Sequence, residues 1–105
     1  MELHKNTANA FINYLKLHGY PVDRIVTEYK IGKYAVDIAV LDEDINLPVA
    51  IYEVKGQKTE NSINFVIKQL NRYIRELGYS VQAGAIFSKE TAHNVPDCTL
   101  AKNPE

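Results

Sequence analysis

The sequence predicts an α/β protein, a mixed four-stranded sheet flanked by helices. Residues 3–18 and 62–77 repeat their apolar residues at helical spacing. Residues 24–30, 34–41, 49–54 and 81–87 are short, apolar and rich in β-branched side chains, as strands are. The resulting order is helix, three strands, helix, strand. Three strands joined by short turns form an antiparallel meander, and the helical crossover lets the last strand pair in parallel.

The first helix follows from Leu3, Thr7, Ala10, Phe11, Tyr14, Leu15 and His18. Gly19 suits the left-handed position that ends it, and Pro21 blocks its continuation. Ile31-Gly32-Lys33 is a tight turn between the first two strands. Strict alternation in the second strand puts Tyr34, Val36, Ile38 and Val40 on one face, and Ala35, Asp37, Ala39 and Leu41 on the other. Asp42-Glu43-Asp44-Ile45-Asn46 is a polar turn, and Pro48 opens the third strand, where proline is tolerated. Residues 56–61 are a polar loop, with Asn61 or Ser62 expected to cap the second helix. Ile63, Val66, Ile67, Leu70, Ile74 and Leu77 form its apolar stripe, and Gly78 ends it. The tail from Ser88 onward is expected to be loop with at most a short helix.

With 105 residues, of which 46% are hydrophobic, the chain suits one compact domain with a sizeable core. The formal net charge of -1 provides no overall basic field of the kind autonomous DNA binders carry. Cys98 is the lone cysteine, so no internal disulfide forms. No apolar run approaches the ~18–20 residues of a membrane span, and the start lacks a basic-then-apolar leader. A soluble cytoplasmic protein without a membrane partner is the expectation.

The second and third strands carry charge where core strands ordinarily do not. Asp37 interrupts Val36 and Ile38. Sixteen residues later Glu53 lies between Tyr52 and Val54, followed by Lys55. The strand period of two places Glu53 and Lys55 on one face, and a hairpin pairing brings Asp37 beside Glu53. Burying such charges is costly unless they are compensated or hold a metal. Two carboxylates are hard oxygen ligands suited to Mg²⁺, which retains waters and binds phosphate oxygens. A metal there lowers the pKa of a bound water, and the ammonium orients that water or steadies the leaving oxyanion. These are the parts of metal-assisted phosphodiester hydrolysis. The competing reading is an ordinary ion pair on a solvated strand face.

On the second helix, Gln69 and Tyr73 stand at i and i+4, on one face beside the apolar stripe, with Arg72 nearby and Lys68 and Arg75 flanking. This polar edge is placed to cross the site. The competing reading makes Tyr73 core and Gln69 surface.

Together, Asp37, Glu53-Val54-Lys55 and Gln69-Leu70-Asn71-Arg72-Tyr73, with Glu28-Tyr29 in the first strand, resemble the PD-(D/E)XK nuclease superfamily over roughly residues 25–88. The Gln-x-x-x-Tyr element is similar to that of its RecB-type branch. The whole set resembles the nuclease domain of type I restriction enzyme R (motor) subunits. The resemblance implies a restriction-endonuclease-like αβββαβ core and a DNA endonuclease. It implies Asp37 and Glu53 as ligands of Mg²⁺ (with Mn²⁺ a substitute), the Val54 carbonyl helping, and Lys55 as the catalytic lysine. Gln69, Tyr73 and Arg72 would orient the site or touch DNA. A further carboxylate would come from Glu28 or Glu2. The chain departs from the pattern at Val36, where proline is frequent. No helicase motor follows in this sequence, so the expectation is an excised or solitary nuclease domain, or one working with a separate motor or other restriction subunits.

Two other functions remain open on the sequence: a nuclease-fold binding or scaffold module without turnover, and a stand-alone dimeric junction-resolving nuclease. Asp42-x-Asp44-x-Asn46 with Glu53 at the twelfth position mimics a calcium loop, but Leu47 replaces its glycine and the flanks are strands. His4, His18 and His93 lack ligand spacing, and Cys98 lacks a catalytic neighbour. Lys30, Lys33, Lys55, Lys58, Lys68, Arg72 and Arg75 are either one phosphate-binding face or scattered surface charges.

Overall fold

The computed structural model describes residues 2–88 and 97–100, with side chains for residues 6–88. Helix α1 (Glu2–Leu17) and a short 3-10 turn (Val22–Arg24) lead into β1 (Ile25–Ile31), β2 (Tyr34–Leu41) and β3 (Pro48–Lys55). Helix α2 (Glu60–Leu77) crosses to β4 (Gln82–Phe87), and β5 (Asp97–Leu100) follows. The sheet order is β1-β2-β3-β4-β5. Only β3 and β4 run parallel; the other neighbours are antiparallel. The α/β class and the mixed sheet of four expected strands are therefore present. The fifth strand corrects the expectation of a loop: Asp97–Leu100 pairs along β4 from Phe87 to Gly84. So short a segment has too few residues to show strand periodicity, and pairing with a neighbour is what makes it a strand.

Gly19 takes the left-handed conformation expected after α1. The cap of α2 differs from expectation by two residues or more. Thr59 is the N-cap, and its hydroxyl accepts the Ser62 amide while the Ser62 hydroxyl accepts the Thr59 amide. Ser62 thus serves as the return arm of a capping box, the place usually held by Glu or Gln. At the other end Gly78 adopts φ 83, and its amide closes on the Ile74 carbonyl.

Each face of the sheet buries its own core. On the α2 side Val66, Leu70, Tyr73 and Ile74 pack on Val36, Ala39, Ile51, Ala83, Ala85 and Phe87. On the α1 side Phe11 and Leu15 pack on Ile38, Val40, Ala50, Tyr52, Val54 and Ile86. The apolar central strands supply both faces, as sheets covered by helices require.

Strict alternation fails within β2. Tyr34 and Val36 join the α2-side cluster, whereas Ile38 and Val40 join the α1-side cluster. The same reversal occurs in β1, where Ile25 packs on the α1 side and Tyr29 and Ile31 on the α2 side. The pairing register places Glu28 opposite Asp37 at the change, and Glu28 has a left-handed φ of 51. A non-glycine residue there is strained and rolls the strand, as bulges do. The hairpin end, residues 29–36, consequently turns its apolar side toward α2. Tyr34 meets Tyr73 with ring centroids 5.9 Å apart, and Gly32 lies under the Glu76 carboxylate.

Candidate active site

The reversal in β2 and the end of a ladder coincide at Asp37. Pairing between β2 and β3 reaches Ile38↔Tyr52 and goes no further toward Asp37. Beyond it, side chains replace the backbone ladder. The Asp37 amide donates to Glu53 Oε1 at 2.8 Å, and the Val54 amide donates to Asp37 Oδ2 at 2.8 Å. Each carboxylate is thereby held by the opposite strand in short, charge-assisted bonds. The two acids meet where the strands part, at the carboxyl end of the parallel pair β3/β4. Such ends, where neighbouring strands change direction, are where open α/β sheets present ligand crevices. The end of β4 is tied to this corner by the Ser88 amide, which donates to the Lys55 and Gly56 carbonyls.

Glu53 is buried, its side chain only 5% exposed against 23% for Lys55. Ile51 packs on the α2 side and Tyr52 and Val54 on the other, so alternation puts Glu53 and Lys55 on the α2 side. Lys55 Nζ stands 4.0 Å from Glu53 Oε2, the outer edge of an ion pair. Burial, and then the charge of Asp37, push the Glu53 carboxyl up to about 7; the Asp37 amide and Lys55 pull it down. A buried acid beside another acid, with one distant ammonium, is short of positive charge.

Tyr73 belongs to the core and borders the acidic pair. Its ring is 3% exposed in the α2-side cluster, and its hydroxyl accepts Gln69 Nε2 at 3.1 Å. Burial, and then the Glu53 charge, push the phenol up to about 12, so it stays protonated at neutral pH. Asp37 adds to that shift and Arg72 opposes it, so the hydroxyl is within electrostatic reach of both acids. Gln69 Oε1 is buried without a hydrogen-bond partner. A buried amide oxygen left so is costly unless a donor arrives.

The remaining expected residues lie around this centre. Arg72 is exposed and rests on the Tyr34 ring, 5.6 Å from its centroid. Glu28 is exposed, stands opposite Asp37 in the β1–β2 register, and adds to the negative field at Glu53. Glu2 opens α1, and its side chain lies outside the described residues, as do those of His4, His93 and Cys98. Among the described residues no three His, Cys, Asp or Glu side chains gather as a metal-binding group; the acidic centre is a pair. The Asp42 turn closes on itself instead. Asp42 Oδ1 accepts the Asp44 and Ile45 amides, which hold its carboxyl below the usual range. Glu53 lies near the far end of β3 from that turn, so no calcium loop forms.

The structure also brings in Phe65, which the apolar stripe does not include. Its ring is 60% exposed and lies under Lys55 Nζ, 5.1 Å from the centroid. The signal was present as spacing: Phe65, Gln69 and Tyr73 form one i, i+4, i+8 series. Among the described residues, no helix is long and apolar enough to cross a membrane. Comparison of the chain with protein-family models, curated proteins and solved structures finds no match.

Proposed function

We propose that this chain is a Mg²⁺-dependent DNA endonuclease domain of the PD-(D/E)XK kind, resembling those of type I restriction R subunits. The observation that carries the reading is the mutual clasp of Asp37 and Glu53 at the strand fork, with Lys55 beside it.

The donor set fits a hard divalent ion. Two carboxylates are clasped together, and burial first, then the Asp37 charge, lifts that of Glu53 to about 7. Asp37 and Glu53 would hold the ion, with the Val54 carbonyl as the expected third oxygen. Two or three protein oxygens suit Mg²⁺, which keeps several waters. Bound there, the metal would supply a water acidic enough to attack phosphorus and charge neutralisation for the phosphate oxygens.

The chain's own groups have separate tasks. Lys55, braced between Glu53 Oε2 and the Phe65 ring, orients the attacking water and steadies negative charge on the phosphate. The Tyr73 hydroxyl, kept protonated and reached by Gln69, donates to the Ala35 carbonyl at 3.5 Å and so fixes the edge of α2 against the strand that carries Asp37. Glu28 adds a third negative charge from the β1 side. Water adds to phosphorus, the bridging P–O bond breaks, and the released oxygen takes up a proton. None of these groups reads bases, so sequence selection would require another contact or partner.

The experiment is nicking of supercoiled plasmid with and without Mg²⁺, using the native chain, Asp37→Ala and Lys55→Ala. Nicking that needs Mg²⁺ and is lost in both variants is expected. Nicking that survives both substitutions removes the site.

A further inference from the structure

α2 presents one edge to solvent along the acidic centre, and that edge is not uniformly polar. Among its large apolar residues only Phe65 is exposed, next to Lys55. Gln69 follows one turn on, with an unpartnered buried oxygen. Arg72 follows in turn, resting on Tyr34. Lys33 Nζ approaches the same Tyr34 ring, 5.7 Å from its centroid. Both cations lie inside the ~6 Å range of attraction to an aromatic ring. Among the described residues, neither Lys33 nor Arg72 pairs with a carboxylate. Two like charges are thus gathered on one ring without an ion pair of their own among the described residues.

From Phe65 to Arg72 is two turns of helix, or about 10 Å, on the order of one to two nucleotide steps along an extended strand. An exposed aromatic ring at one end and a pair of cations at the other are the parts of a single-strand track. The ring stacks on the flat face of any base, and the cations follow the backbone. A paired base keeps its faces covered by its neighbours and has none to offer Phe65. Glu76, over the Gly32 turn, bounds the cationic end with opposite charge.

Building on the nuclease reading, we infer that the substrate is locally unpaired nucleic acid, with one base stacked on Phe65 and the following phosphates held by Lys33 and Arg72 on Tyr34. The contact between Lys55 and Phe65 then couples the stacked base to the lysine at the scissile phosphate. Phe65 is a specificity residue, and Tyr34 a positioning residue that keeps the two cations together.

The test uses the full chain with Ca²⁺ replacing Mg²⁺, so that binding is measured without turnover. Fluorescence anisotropy is read with a short labelled oligothymidylate and with a duplex of equal length. Tighter binding of the single strand is expected. Phe65→Ala should weaken it about tenfold, as loss of one base–aromatic stack does, and leave duplex affinity unchanged. Phe65→Tyr should retain it, which separates stacking from simple bulk. Lys33→Gln with Arg72→Gln should flatten the salt dependence by about 1.4 in log–log slope, at ~0.7 per single-strand phosphate. Equal or tighter duplex binding, or single-strand affinity unmoved by Phe65→Ala, overturns the inference. The nuclease reading is judged apart from this, by nicking. Nicking with Phe65-independent binding removes the track alone. Phe65-dependent binding in a chain that never nicks keeps the track and removes the nuclease.

Discussion

Asp37 and Glu53 hold each other through the main chain as well as through charge: the Asp37 amide donates to Glu53 Oε1, and Asp37 Oδ2 receives the amide of Val54, the next residue after Glu53. The two bonds form where the β2–β3 ladder has ended, so the acids do structural duty that ordinary ladder bonds would do elsewhere in the sheet.

That double role separates two substitutions at one position. Asp37→Ala removes the acceptor of the Val54 amide and should cost about 1–3 kcal/mol of stability. Asp37→Asn keeps an oxygen for that amide and removes the charge beside Glu53, so melting should be little changed or raised. Both should lower Mg²⁺-dependent nicking by about 100-fold or more, since several kcal/mol of charge stabilisation depend on the ion. Thermal melting set against nicking rate checks the pair.

Glu53 makes the metal-free protein pH-sensitive. Its carboxyl sits at about 7 in the folded chain against an ordinary 4.5. Between those values the folded state binds more protons than the unfolded one. The group's contribution is therefore full below 4.5 and is lost as pH rises through 7. The loss is roughly 3 kcal/mol at most, the free energy of that shift. Metal-free melting should fall between pH 5 and 8.5, and Glu53→Gln should flatten the fall. Mg²⁺ selects the ionised carboxylate, so it should raise the melting temperature more at pH 8 than at pH 5. An equal rise at both values would contradict this charge assignment.

Tyr73→Phe keeps the buried ring and deletes the hydroxyl that Gln69 Nε2 reaches. Stability should change by about 1–2 kcal/mol, while nicking falls further than that loss of folded protein explains. Gln69→Ala should act through the same hydroxyl, so the double variant should be little worse than either alone. A cycle of nicking rates, each measured well below the melting transition, reads the coupling.

Gly32 turns the β1–β2 hairpin with φ 60, and a Cβ there would press on the Glu76 carboxylate. The carboxylate is the end of a flexible side chain and moves aside, but the left-handed backbone remains. Gly32→Ala should therefore cost about 1–2 kcal/mol, seen in chemical denaturation, with unchanged helix content. Because this hairpin carries Tyr34 against Tyr73 and Arg72, nicking should weaken along with stability.

The elements that could be read from the chain were those with a strong local signal. The stripe Val66, Leu70, Ile74 placed α2 because burial on one helix face repeats with the turn. Gly19 and Gly78 marked helix ends because each takes a left-handed φ that other residues avoid. Asp37 and Glu53 stood out because a charge inside an apolar strand conflicts with burial. The cap at Thr59 escaped because serine in place of glutamate hid the capping box. β5 escaped because Asp97–Leu100 depends on β4 for its pairing.

Local order in the chain accounts for the helices, the first four strands and the singling out of the two acids and the lysine as candidates, since periodicity and charge need only near neighbours to be recognised. The turning-over of the hairpin at Glu28 and Asp37, the clasp of Asp37 with Glu53, and the arrival of Phe65 under Lys55 belong to the folded state alone. Each joins different elements of the chain, and the clasp depends on where the β2–β3 ladder stops and side chains take over its hydrogen bonds, a competition that pattern within a single segment does not contain.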